Sequence, residues 1–123
     1  MIDNENKIIP VYITSHIVTP SGNTLTINNN TYNGRFIKCN NNITITLNNI
    51  SNGIGFECEI YNNTSDDTHK ITFSSANNNI KLYCIDKPEG ATTLEMTEPR
   101  GVTVIKYIAN NHWLLAGSVE ESS

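Results

Sequence analysis

"KCNNNITITLNNISNGIGFECEIYNN", residues 38–63, holds two alternating apolar runs separated by asparagine and glycine. In the first run Ile43, Ile45 and Leu47 share one parity, and Thr44 and Thr46 take the other. Past Asn52-Gly53, Ile54, Phe56, Cys58 and Ile60 alternate with Gly55, Glu57, Glu59 and Tyr61. Successive side chains of a strand point to opposite faces, so period-two patterning marks a strand with one buried side. The first member of each set is therefore expected inward.

The same parity continues beyond this stretch. Ile71 pairs with Phe73, and Ile80 with Leu82 and Cys84, as inward positions. Cys39, Cys58 and Cys84 then read as small buried hydrophobes, the common condition of an unpaired cysteine. Short strands separated by turn signals about every 8–12 residues predict an all-β chain, an antiparallel β-sandwich of jelly-roll-like or barrel-like form. No window has a convincing helical period. The nearest, residues 92–98, is short and is stopped by Pro99. Residues 86–100, with Pro88, Gly90 and Pro99, read as an excursion loop. The expected division is an extended N-terminal arm or edge strand over 1–20, a sandwich domain over 21–118 and a polar C-terminal tail over 119–123.

Two segments are apolar on both faces. In 102–108 Val102, Val104 and Ile108 oppose Ile105 and Tyr107. In 7–13 Ile8, Ile9, Val11, Tyr12 and Ile13 surround Pro10, which cannot donate to a sheet ladder and so favours an edge strand or arm. A strand apolar on both sides needs a second cover, from its own chain or from another. Ile8, Ile9, Val11, Tyr12, Ile13, Ile105 and Tyr107 are accordingly the candidate oligomer or docking residues.

Composition narrows the function. The 123 residues suit one domain with its own core. Twenty of them are asparagine, and the runs 28–30, 40–42 and 77–79 fall between apolar alternations, where asparagine tolerates left-handed turn geometry. The net charge is −4 and the eight Lys and Arg are scattered, which excludes the clustered cations that nucleic acid needs. The acidic start "MIDNENKIIP" shows no secretory signal, and no apolar run reaches the roughly 18–20 residues of a membrane helix. Three widely spaced cysteines fit neither a disulfide framework nor a CxxC metal site, and they point to a reducing cytoplasm.

Reactive constellations are sparse. Asp67 and His69 would share a strand face, and an Asp–His pair can orient a base for a nucleophile. Here "NNTSDDTH" reads as a polar turn, and no Gly-x-Ser-x-Gly elbow accompanies it. Asp66 and Asp67 fall outside any EF-hand spacing, and neither a phosphate loop nor HExxH is present. The sequons at Asn29, Asn42, Asn49, Asn62 and Asn63 carry no weight without a secretory route. Tyr12, Tyr32, Tyr61, Tyr83, Tyr107 and Trp113 include the candidates for a sugar platform. Trp113, followed by Leu114 and Leu115, reads better as core. No catalytic residue, metal or cofactor is expected.

The order of segments "NGRFIKCNNNITITLNN", "GIGFECEIYNN", "KITFSS" and "GVTVIKYIANNHWLLAGS" resembles small β-modules of tailed-bacteriophage virion proteins. The matching positions are Thr44, Thr46 and Leu47, then Gly55 and Phe56, then Ile105, Trp113, Leu115 and Gly117. Where that group often has proline after the leucine, this chain has Asn48. The resemblance implies a non-enzymatic structural virion protein, assembled in the host bacterial cytoplasm. A capsid decoration or head-fibre protein fits best, and a carbohydrate- or receptor-binding module of a tail fibre is the alternative. It further implies self-association, as a homotrimer first and a dimer second, docking on capsid or another virion protein, and a glycan as a further candidate ligand.

Overall fold

The computed structural model describes residues 16–122. The chain is nearly all β, in two mixed sheets that enclose a single core. Its first six strands alternate between the sheets. β1 (Ile17–Val18), β3 (Phe36–Cys39) and β5 (Glu57–Asn62) lie parallel in one. β2 (Thr24–Ile27), β4 (Ile43–Leu47) and β6 (Ile71–Ser75) lie parallel in the other. This half of the chain therefore winds as a flattened coil, each winding adding one strand to each sheet, as in a β-helix.

The second half closes the coil. β7 (Lys81–Cys84), β8 (Lys87–Ala91), β10 (Val102–Ala109) and β11 (His112–Gly117) complete a seven-stranded sheet in the order β1-β3-β5-β10-β11-β7-β8. β9 (Thr93–Met96) and β12 (Glu120–Glu121) complete a five-stranded sheet ordered β12-β9-β6-β4-β2. β10 is central to the larger sheet, antiparallel to β5 on one side and to β11 on the other.

Parity predicts the core well. Ile43, Ile45, Leu47, Phe56, Cys58, Ile60 and Phe73 are all buried, as are Ile71, Ile80, Leu82 and Cys84. Ile54 is the exception at 73 % exposed, because β5 begins only at Glu57. Pairing direction is the larger correction, since the expected wholly antiparallel arrangement gives way to parallel ladders through β1 to β6. The turn at Asn52 forms, with φ 54 and the Gly53 N–H donating to the Ile50 carbonyl at 3.1 Å. It does not make a hairpin. Ile50 and Phe56, on either side of it, are both buried, so the linker crosses over the edge of the core into the opposite sheet.

Residues 86–100 are not an excursion loop, and 92–98 is not helical. They carry β8 and β9, and the buried Leu94 and Met96 of β9 face the core. Pro88 is accommodated because β8 is an edge strand, paired only with β7. Within the span expected as an arm or edge strand, β1 is an edge strand of the larger sheet, and within the expected tail β12 is an edge strand of the smaller one. Lys87 on β8 donates to Glu121 on β12 at 2.9 Å, tying an edge of one sheet to an edge of the other.

Candidate interaction surface

Asparagine does more in this fold than turn corners. Of the described asparagines only Asn52 and Asn111 have positive φ, so the three runs do not use left-handed geometry. Several side-chain amides bridge one winding to the next. Asn42 Oδ1 accepts the Lys70 N–H at 2.6 Å, Asn33 Oδ1 accepts the Glu57 N–H at 3.0 Å, and Asn63 Nδ2 donates to Asn40 Oδ1 at 2.7 Å. Asn49 Oδ1 accepts from the Tyr107 hydroxyl at 3.1 Å and the Asn111 N–H at 2.8 Å, while its Nδ2 donates to Asn111 Oδ1 at 2.9 Å. Asn62 is fully buried and donates to the carbonyls of His69 and Glu98. Neutral amides can donate and accept at once, which suits loops stacked one winding apart.

The titratable candidates are equally committed. Asp66, rather than Asp67, organises the turn before β6. Hydrogen bonds from the Thr68 hydroxyl and N–H, with a smaller one from Thr64 and the nearby His69 charge, hold its carboxyl below the usual range. His69 Nδ1 is buried without a hydrogen-bond partner among the described residues, so no Asp67–Nδ1 bond orients it as a base. The three thiols are free and buried. Desolvation pushes Cys39 and Cys58 up to about 12, with the charges of Glu57 and Glu59 adding at Cys58. Among the described residues no three His, Cys, Asp or Glu side chains converge on a metal position. No helix there is long and apolar enough to cross a membrane.

Of the expected interface residues, Ile8, Ile9, Val11, Tyr12 and Ile13 lie outside the described residues. Ile105 and Tyr107 lie in the core at 0 % and 3 % exposed, so in the folded chain neither offers side-chain surface to a partner. Strand parity puts them inside because β10 is covered by the five-stranded sheet on that face. The apolar groups that face outward are Val102 and Val104, half-buried, and Ile108, exposed. Beside them on β11, Leu114 is 41 % exposed. Trp113 is wholly buried, donates from Nε1 to the Asn48 carbonyl at 3.1 Å, and packs edge-on against Phe56 at 5.6 Å.

The tyrosines divide in the same way. Tyr107 is core, Tyr32 packs against it, and Tyr12 is outside the described residues. Tyr61 and Tyr83 remain half-buried on the outer face of the seven-stranded sheet. Tyr61 contacts Phe36 at a centroid distance of 5.6 Å, and Tyr83 contacts His112 at 4.3 Å. The outer face of the smaller sheet carries in-register hydroxyls instead: Thr24, Thr44 and Thr72 in one row, and Thr26, Thr46 and Ser74 in the next. Each sheet thus offers a broad outer surface, one mixing apolar and aromatic groups with the charged Glu57, Glu59 and Lys106, the other hydroxylated. The chain matches no family model and no curated protein sequence.

Proposed function

We propose that this chain is a non-enzymatic structural protein of a tailed-bacteriophage virion, a capsid decoration or head-fibre protein. In this reading the two sheets are the layers of a sandwich, the chain opens with an N-terminal arm or edge strand over 1–20, and the protein works as a homo-oligomer docked on a capsid or other virion protein. One observation carries the reading furthest: β10 is apolar on both sides. Its inner side completes the core, while Val102, Val104 and Ile108, with Leu114 beside them and the Lys106–Glu57 ion pair between them, remain on the outer face. An apolar strip on a sheet face is the kind of surface that a partner covers. The sequence resemblance supplies the assembly in which such a partner would be found. Thiols held in the core and amides spent on stacking windings agree with a protein whose output is surface. Imaging phage particles with this protein labelled tests the proposal. Label on heads supports it, label confined to tail tips favours a receptor-binding module, and unlabelled particles defeat it.

A further inference from the structure

Arg100 stands in a backbone conformation that its side chain disfavours. The link between β9 and β10 closes with the Gly101 N–H donating to the Glu98 carbonyl at 3.0 Å. Pro99 fills the first corner of this turn and Arg100 the second, at φ 62. A proline-led turn with positive φ at its second corner is type II, where glycine or asparagine is usual because a Cβ is crowded there. Strain of this kind persists where the surroundings enforce it, and it clusters at ligand sites.

The Arg100 side chain is held by neutral groups. Nη1 donates to the Tyr61 hydroxyl at 3.0 Å and to Asn63 Oδ1 at 2.6 Å. Lys70, Lys87 and Lys106, in contrast, each have a carboxylate partner. The guanidinium is therefore fixed in place with its charge uncancelled by those contacts, and among the described residues its other N–H groups have no partner. Tyr61 lies beside Lys38 in register across β5 and β3, and its ring contacts Phe36. Asn63 in turn holds Asn40. One corner of the outer face thus gathers two aromatic rings, two cations and two amides. Glu59, in register with Phe36, flanks it.

We propose that this corner binds a carboxylated saccharide. A guanidinium fork donates two hydrogen bonds to a carboxylate, and Lys38 adds a second positive charge. The Phe36 and Tyr61 rings offer apolar surface to the C–H face of a sugar ring. The amides of Asn40 and Asn63, with the Glu59 carboxylate at the rim, suit sugar hydroxyls. Single-stranded nucleic acid also stacks on aromatic rings beside cations. A polyanion would meet Glu59 here and a net charge of −4 overall, so the saccharide is favoured. The proposal goes beyond the virion reading and does not depend on it.

The test is calorimetric titration of the full chain with a galactose oligosaccharide carrying a single galacturonic acid residue, the neutral galactose oligosaccharide and a single-stranded oligonucleotide. Saturable binding of the acidic saccharide alone is expected. Arg100→Gly should weaken it by roughly tenfold or more, the loss of one charge-assisted contact, while leaving Tm unchanged or raised because glycine relieves the turn. A merely structural arginine would give the reverse, with lower Tm and unchanged binding. Lys38→Met, which leaves the turn intact, should also weaken binding. It decides the matter if Arg100→Gly loses both stability and affinity: retained binding in Lys38→Met overturns the proposal. So does absence of saturable binding, or equal binding of the neutral sugar or the oligonucleotide.

Discussion

Trp113 shows how one side chain joins the two halves of the fold. It sits on β11 in the closing half, yet its indole N–H is satisfied by the Asn48 carbonyl at the end of β4. It also packs against Phe56 and Tyr107. Replacing it with alanine should cost about 3–5 kcal/mol, the usual loss for emptying a large core site. Chemical denaturation of parent and variant measures this, and a loss below about 1 kcal/mol would show that the tryptophan is not core. The thiols give a second residue-scale prediction. Burial raises Cys39 and Cys58 from an ordinary 9.0 to about 12, so the folded pKa lies above the unfolded one. For a group that is neutral when protonated, the resulting stability is fully present below about pH 9 and is lost as pH rises through about 12. Native protein at pH 8 should therefore react with a thiol reagent only slowly, and should react at once in denaturant. Rapid native reaction would place the thiols outside the core.

At the scale of elements, parity was legible in the sequence and pairing was not. Ile43, Ile45 and Leu47 announce a strand by alternation alone, whichever neighbour it takes. Direction depends on whether the chain turns back within a sheet or crosses between sheets, and Asn52-Gly53 serves either path. The buried pair Ile50 and Phe56 was the available signal, because a solvent-exposed hairpin tip would not bury both flanks. The asparagine bridges were illegible for a related reason. Those of Asn33, Asn42 and Asn63 join residues about one winding apart, and those of Asn49 reach into the closing half, separations known only once the path of the chain is known. Arg100 left a fainter trace: "EPRG" places a β-carbon at the corner where a proline-led turn wants glycine. The bridges make a testable contrast. Asn49→Ala removes an amide that serves the Tyr107 hydroxyl and both the N–H and side chain of Asn111, so it should cost about 1–3 kcal/mol. Asn78→Ala, at an exposed position with no such bridge among the described residues, should stay within about 0.5 kcal/mol. Equal effects in thermal or urea unfolding would remove asparagine bridging as a source of stability. Gly117 is a second sensitive position, at φ 123 and placed so that an added Cβ would overlap the Val102 carbonyl oxygen. Gly117→Ala should lower Tm because no Cβ fits there.

On the scale of the whole molecule, the fold has two broad sheet faces. An apolar strip left in water forfeits about 25 cal/mol per Å² of burial and invites association, and a closed homo-oligomer is the simplest cover. The purified chain should therefore sediment as an oligomer, a trimer on the proposed reading. Ile108→Lys together with Leu114→Lys should shift it toward monomer with the fold intact by circular dichroism. The interface residues expected from sequence illustrate the limit of reading a doubly apolar strand without its fold. Ile105 and Tyr107 carry the side of β10 that the chain covers by itself, and Val102, Val104 and Ile108 carry the other. The central claim, that the protein is a built-in part of a phage particle, is tested most directly by quantitative mass spectrometry of purified particles and empty heads. A fixed copy number relative to the major capsid protein, the same in both, is the predicted result. Its absence from washed particles, with the protein left in the soluble lysate, would contradict the claim.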